Sequence, residues 1–62
     1  MNIYNNVKEI AAQKKISITD LEKAAGLANG TIGKWKDSVP KVSSLEAVAK
    51  ALKVTVSQLI KE

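Results

Sequence analysis

The chain has 62 residues, of which 45% are hydrophobic and 3% aromatic, and it contains neither Cys nor His. That length makes one small domain, 1–62, too slight to enclose an active-site cleft easily, and the missing residue types exclude disulfides, thiolate nucleophiles, imidazole bases and the usual zinc sites. Ten positive side chains, every one a Lys, against six negative ones leave a net charge of +4, which favours polyanionic partners and removes bidentate arginine-to-guanine contacts.

Ile3, Val7, Ile10 and Ala11 recur at i, i+4, i+7 and i+8, the stripe of an amphipathic helix that ends near Lys14-Lys15, where basic residues suit the helix dipole. Ser17-Ile18-Thr19-Asp20 reads as a capping box with Asp in place of Glu and opens a second helix, with Leu21 and Ala25 inward, that stops at Gly26. A third helix is expected over residues 28–36. Ala28, Ile32 and Trp35 share one face of it, and Asn29, Gly30, Gly33 and Lys34 share the opposite one. Asn29-Gly30 is also a strong hairpin signal, but its flanks are short and show no alternation of period two.

Lys36 to Lys41 read as a loop, with Val39 driven extended by Pro40. Leu45, Val48, Ala49 and Leu52 form a fourth stripe, for which Ser43 or Ser44 is the obvious cap. Thr55-Val56-Ser57-Gln58 is a full capping box that opens a last helix with Val56, Leu59 and Ile60 inward. The expected fold is all-α, a compact bundle of five short helices.

A helix stopped at Gly26, a short turn, and a second helix with inward Ile32 and Trp35 has the spacing of a helix-turn-helix. The stretch Ile16-Ser17-Ile18-Thr19-Asp20-Leu21 through Gly26-Leu27, with Asn29-Gly30-Thr31-Ile32-Gly33-Lys34-Trp35, resembles the lambda-repressor/Cro-like, XRE-type helix-turn-helix family. Pro40, Leu45, Val48-Ala49-Lys50-Ala51-Leu52 and Val54-Thr55-Val56 match that family's fourth and fifth helices.

The resemblance implies a DNA-binding transcriptional regulator. Its recognition helix, Ala28 to Lys36, would enter the major groove, and the helix starting near Ser17 would lie across the backbone. It further implies a homodimeric repressor of phage, prophage or mobile-element type on a roughly palindromic operator, with half-sites about 34 Å apart. The positions that face base edges are then Ala28, Asn29, Gly30, Gly33 and Lys34. Asn29 can pair with adenine and Lys34 with guanine, while the two glycines allow close approach and cost a helix roughly 1 kcal/mol each, giving a soft recognition helix. Phosphate contacts are expected from Ser17, the Ile18 amide, Thr31, Lys36, Lys41, Ser43 and Ser44, with free amides at helix starts near Ser17 and Ala28.

The chain departs from the family pattern at four positions. Ile18 replaces a polar residue, Ala28 a Ser or Thr cap, Glu22 a small residue at the helix-helix approach, and Lys53 the Gly that closes the fourth helix.

The expected partners are double-stranded DNA and a second copy of the chain, meeting around Ser57, Ile60 and Lys61. No cofactor, metal, membrane or small-molecule substrate is expected. Glu9, Asp20, Glu22, Asp37, Glu46 and Glu62 show no paired acid-base spacing. The first residues lack a signal-peptide pattern and no apolar run nears roughly 18 residues, so a cytoplasmic location is expected. The competing reading is a protein-interaction module of the same fold, such as an antitoxin or a regulator of another repressor; dispersed lysines argue against a peripheral membrane binder.

Overall fold

The computed structural model describes residues 3–61 and contains four α-helices and one 3₁₀ helix, with no strand among the described residues. In chain order these are α1 (Ile3–Gln13), α2 (Ile18–Ala25), the 3₁₀ helix (Ile32–Lys36), α3 (Val42–Leu52) and α4 (Val56–Ile60). No helix among the described residues is long and apolar enough to cross a membrane.

The helix starts follow the capping chemistry of the sequence. At α2 the Ser17 hydroxyl accepts from the Asp20 amide at 3.0 Å. At α4 the box is reciprocal: Thr55 Oγ1 accepts from the Gln58 amide at 3.3 Å, and Gln58 Oε1 accepts from the Thr55 amide at 3.1 Å. α3 departs from expectation. Its N-cap is Lys41, two residues before Ser43, and it makes no side-chain cap bond. Helix formation begins directly after Pro40, which is buried, so the tertiary anchor sets the start and the serines fall inside the helix.

The ends of α1, α2 and α3 share one backbone device. A residue in left-handed conformation bonds three residues back, and the next bonds five back, which satisfies two orphan carbonyls. Lys15 (φ 58), Gly26 (φ 74) and Lys53 (φ 59) hold the left-handed position. The i−5 bonds are Ile16 N to Ala11 O at 2.9 Å, Leu27 N to Glu22 O at 2.8 Å and Val54 N to Ala49 O at 2.9 Å. Ile16, Leu27 and Val54 then turn back onto the core. Each helix thus ends by driving an apolar side chain inward, the contact that accompanies this motif.

α2 packs on α3, and α1 lies across the 3₁₀ helix and α4, so the first helix closes the bundle over both later halves of the chain. Asn6 strengthens that closure. Its amide nitrogen donates to the Leu59 and Lys61 carbonyls, at 2.8 and 2.7 Å, satisfying the end of α4 from α1. Ile3, Val7, Ala11, Leu21, Ile32, Trp35, Leu45, Val48, Ala49, Leu52 and Leu59 make one buried cluster. Each was expected inside by spacing. Ile10, Ala25 and Val56, also expected inside, are half-buried. Ile60 and Ala28 are exposed: Ile60 ends the short α4 on its outer side, and Ala28 precedes the 3₁₀ helix altogether.

Trp35 is 8% exposed, at the meeting of α1 and the 3₁₀ helix. Trp35→Ala is expected to destabilise the domain by about 3–5 kcal/mol, read as a lowered urea midpoint.

Candidate nucleic-acid interface

The segment between α2 and the 3₁₀ helix is a turn, which corrects the expected helix over residues 28–36. Thr31 N donates to Ala28 O at 3.1 Å across Asn29 and Gly30. Gly30 has φ 86 and Asn29 does not have positive φ, the pattern of a type II turn, whose third position requires a left-handed residue. A Cβ on Gly30 would meet nothing within 4 Å, so the backbone angle and not space demands glycine there. Only Ile32–Lys36 is helical, and it is wound as a 3₁₀ helix. The expected softening by two helix glycines therefore does not apply, because Gly30 sits outside the helix in a conformation that suits it.

Glu22 fixes this turn. It is 2% exposed, on α2, and its two carboxylate oxygens accept from the Gly30 amide at 3.1 Å and the Ile32 amide at 2.9 Å. The 3₁₀ helix is thus capped by a side chain from the preceding helix, while Thr31 at its N-cap makes no side-chain cap bond. Ala28 needs no capping hydroxyl for this reason. The expected free amides near Ala28 are corrected too, since those of Gly30 and Ile32 are taken from within. Each would cost about 1–3 kcal/mol if left buried and unpaired. Sequence reasoning did not place Glu22 in the site. The available signal was a carboxylate where a small residue was expected, eight and ten residues before the amides it holds.

Of the residues expected to contact bases, Ala28, Asn29, Gly30 and Lys34 are exposed, and Gly33 is half-buried. Four of those expected near DNA come together around one shallow groove of about 300 Å³ between the 3₁₀ helix and α3: Thr31, Lys34, Lys41 and Ser44. Ser43 is exposed on the first turn of α3, beside it in sequence. Lys41 gives α3 no side-chain cap, and an uncapped helix start is where backbone amides and the helix dipole favour negative charge.

Ser17 and Ile18 stand apart at the start of α2. The Ser17 hydroxyl is exposed but already caps the helix, and Ile18 is half-buried against the core. Lys36 turns elsewhere, with its Nζ 5.2 Å from the centroid of the Tyr4 ring on α1, which also receives Lys8 at 5.8 Å. These are cation–π distances, and they place Lys36 on the α1 side.

Residues 6–61 match the family model of the Cro/C1-type helix-turn-helix DNA-binding domain. The chain belongs to this family. The solved P22 c2 repressor in complex with synthetic operator 9T, in the presence of Tl+, is similar to it in structure. The two share a TM-score of 0.85 and 25% sequence identity, over 98% of this chain and 96% of that one. No curated protein sequence matches the chain. As a Cro/C1-type domain it is a DNA-binding transcription regulator, of a fold and family that are those of regulators and not of enzymes.

Within this Cro/C1-type domain the turn makes a defined stability prediction. Gly30→Ala is expected to destabilise by about 1–2 kcal/mol, the penalty of a left-handed L residue, in urea denaturation. Gly33→Ala, where the backbone angle is not positive and space is open, is expected to leave stability unchanged or slightly raised.

Proposed function

We propose that the chain is a sequence-specific repressor of phage, prophage or mobile-element type, acting in the cytoplasm as a homodimer on a palindromic operator, with residues 1–62 as its helix-turn-helix DNA-binding domain. The observation that carries this reading is the gathering of Thr31, Lys34, Lys41 and Ser44 around one groove beside the exposed turn of Asn29 and Gly30. Asn29 and Lys34 are the base readers, through an adenine edge and a guanine edge, while Ala28, Gly30 and Gly33 allow close approach of the backbone. Lys41, Thr31, Ser43 and Ser44, with the open start of α3, hold phosphates along the groove, and Ser17, the Ile18 amide and Lys36 add contacts at the flanks.

Repression follows from occupancy, since a dimer seated on a promoter excludes polymerase. The relative solved with a synthetic operator is a repressor of the same fold, which supports the same use of the surface here. The second subunit joins through the outer side of α4, around Ser57, Ile60 and Lys61, where Ile60 is an exposed apolar residue.

Selection from a random duplex pool near physiological salt tests the reading. An enriched palindrome with half-sites about 34 Å apart supports a dimeric repressor. A single half-site refutes the dimer, and no retained duplex refutes DNA binding in favour of the protein-interaction reading. With three or four phosphates neutralised per subunit, the log–log salt slope is expected to be about −5 to −7. On the enriched duplex, Lys34→Ala is expected to cost about 1–3 kcal/mol per half-site and relax preference at one base position in each. Lys41→Ala is expected to weaken all duplexes alike and, by removing one phosphate contact in each subunit, make the slope shallower by about 2. Fluorescence anisotropy titrations across salt concentrations read both.

A further inference from the structure

We infer that Glu22 is the positioning residue for DNA reading: its carboxylate, clamped on the Gly30 and Ile32 amides, holds the turn that carries Asn29 and the helix that carries Lys34. This rests on the DNA-binding reading above and assigns to a buried residue the control of sequence preference.

Four observations support it. Among the described residues Glu22 is the buried charged side chain, at 2% exposure, and so lies beneath the surface that would meet DNA. Both of its oxygens are used, and among the described residues no buried side-chain nitrogen or oxygen lacks a partner. The two amides it holds bracket Thr31, one inside the turn and one at the first residue of the 3₁₀ helix. Finally, Thr31 N to Ala28 O closes the turn on itself, whereas the two Glu22 bonds tie it to α2. Charge-assisted bonds from one planar group to two amides fix a distance and an orientation together, as substrate-positioning side chains do. Side chains on the held segment then meet base edges at set angles, whereas phosphate attraction tolerates displacement.

The clamp thus contributes to preference and little to general affinity. Glu22→Gln separates the two, because the amide side chain retains one acceptor oxygen and turns a nitrogen donor toward the other N–H. Affinities for the duplex enriched from the random pool and for a scrambled duplex of equal length are compared, alongside amide spectra. In Glu22→Gln the Gly30 and Ile32 resonances are expected to move. The enriched duplex is expected to lose at least tenfold in affinity, the scrambled one to change less than twofold, and the salt slope to stay the same. Equal losses on both duplexes, or full preference with those resonances moved, overturn the proposal.

Should Glu22→Gln fail to fold, hydrogen exchange on the unaltered protein serves. Gly30 and Ile32 amides are expected to stay protected with the enriched duplex bound, and exchange at unprotected rates in the complex overturns the clamp. Unaltered protein that retains no duplex overturns the DNA-binding reading and this role with it, a failure seen before any variant is made.

Discussion

Taking a carboxylate out of water is costly unless each of its oxygens finds a donor, and an amide left buried without an acceptor is costly in turn. Glu22 and the 28–32 segment resolve both costs against each other. The side chain reaches from α2 to two amides that open the next helix, so neither group is satisfied unless the helix-turn-helix has its native shape. Where the family pattern carries a small residue and direct approach of the two helices, this chain uses a spacer with a fixed reach. The turn and the first residue of the short 3₁₀ helix are held at that distance from α2.

The apolar frame was legible in the sequence because spacing alone dictates it. Ile3, Val7 and Ala11, or Leu45, Val48, Ala49 and Leu52, can meet the core only if their segments are helical, and they do. Capping at Ser17 and Thr55 was legible for a similar reason, since the partners lie three residues away. Illegible features depend on groups distant in the chain. Residues 28–36 carry helical spacing of apolar residues, but Asn29-Gly30 has a stronger local preference for a turn, and Glu22 on another helix settles the contest. The start of α3 moved for the same kind of reason, with the buried Pro40 outweighing serines that cap well in isolation. The contact of Lys36 with the Tyr4 ring on α1 was likewise illegible, because its partner lies far back in the chain.

The candidate surface divides labour between geometry and charge. Its turn and the exposed face of Lys34 have defined positions, while Lys41 and the uncapped start of α3 supply attraction without demanding one arrangement. A chain whose cations are all lysines leans on this division more than most, because an ammonium is a point charge with freely rotating donors and carries little directional information of its own. Direction must come from where the backbone puts it. That requirement explains why a 62-residue domain commits a buried carboxylate to holding one turn.

Two of the three left-handed helix ends belong to lysines, Lys15 and Lys53, in a conformation that strains an L side chain by about 1–2 kcal/mol. Neither residue lines the groove. The domain therefore holds a reserve of stability at its helix ends that glycine would release, set against glycine's extra chain entropy of roughly 0.5–1 kcal/mol. For a protein near its folding threshold, such a reserve governs evolvability. Changes that retune the reading turn at some cost to folding become tolerable once a lysine at either helix end has given way, so a shift of operator and a substitution far from DNA can be linked steps of one history.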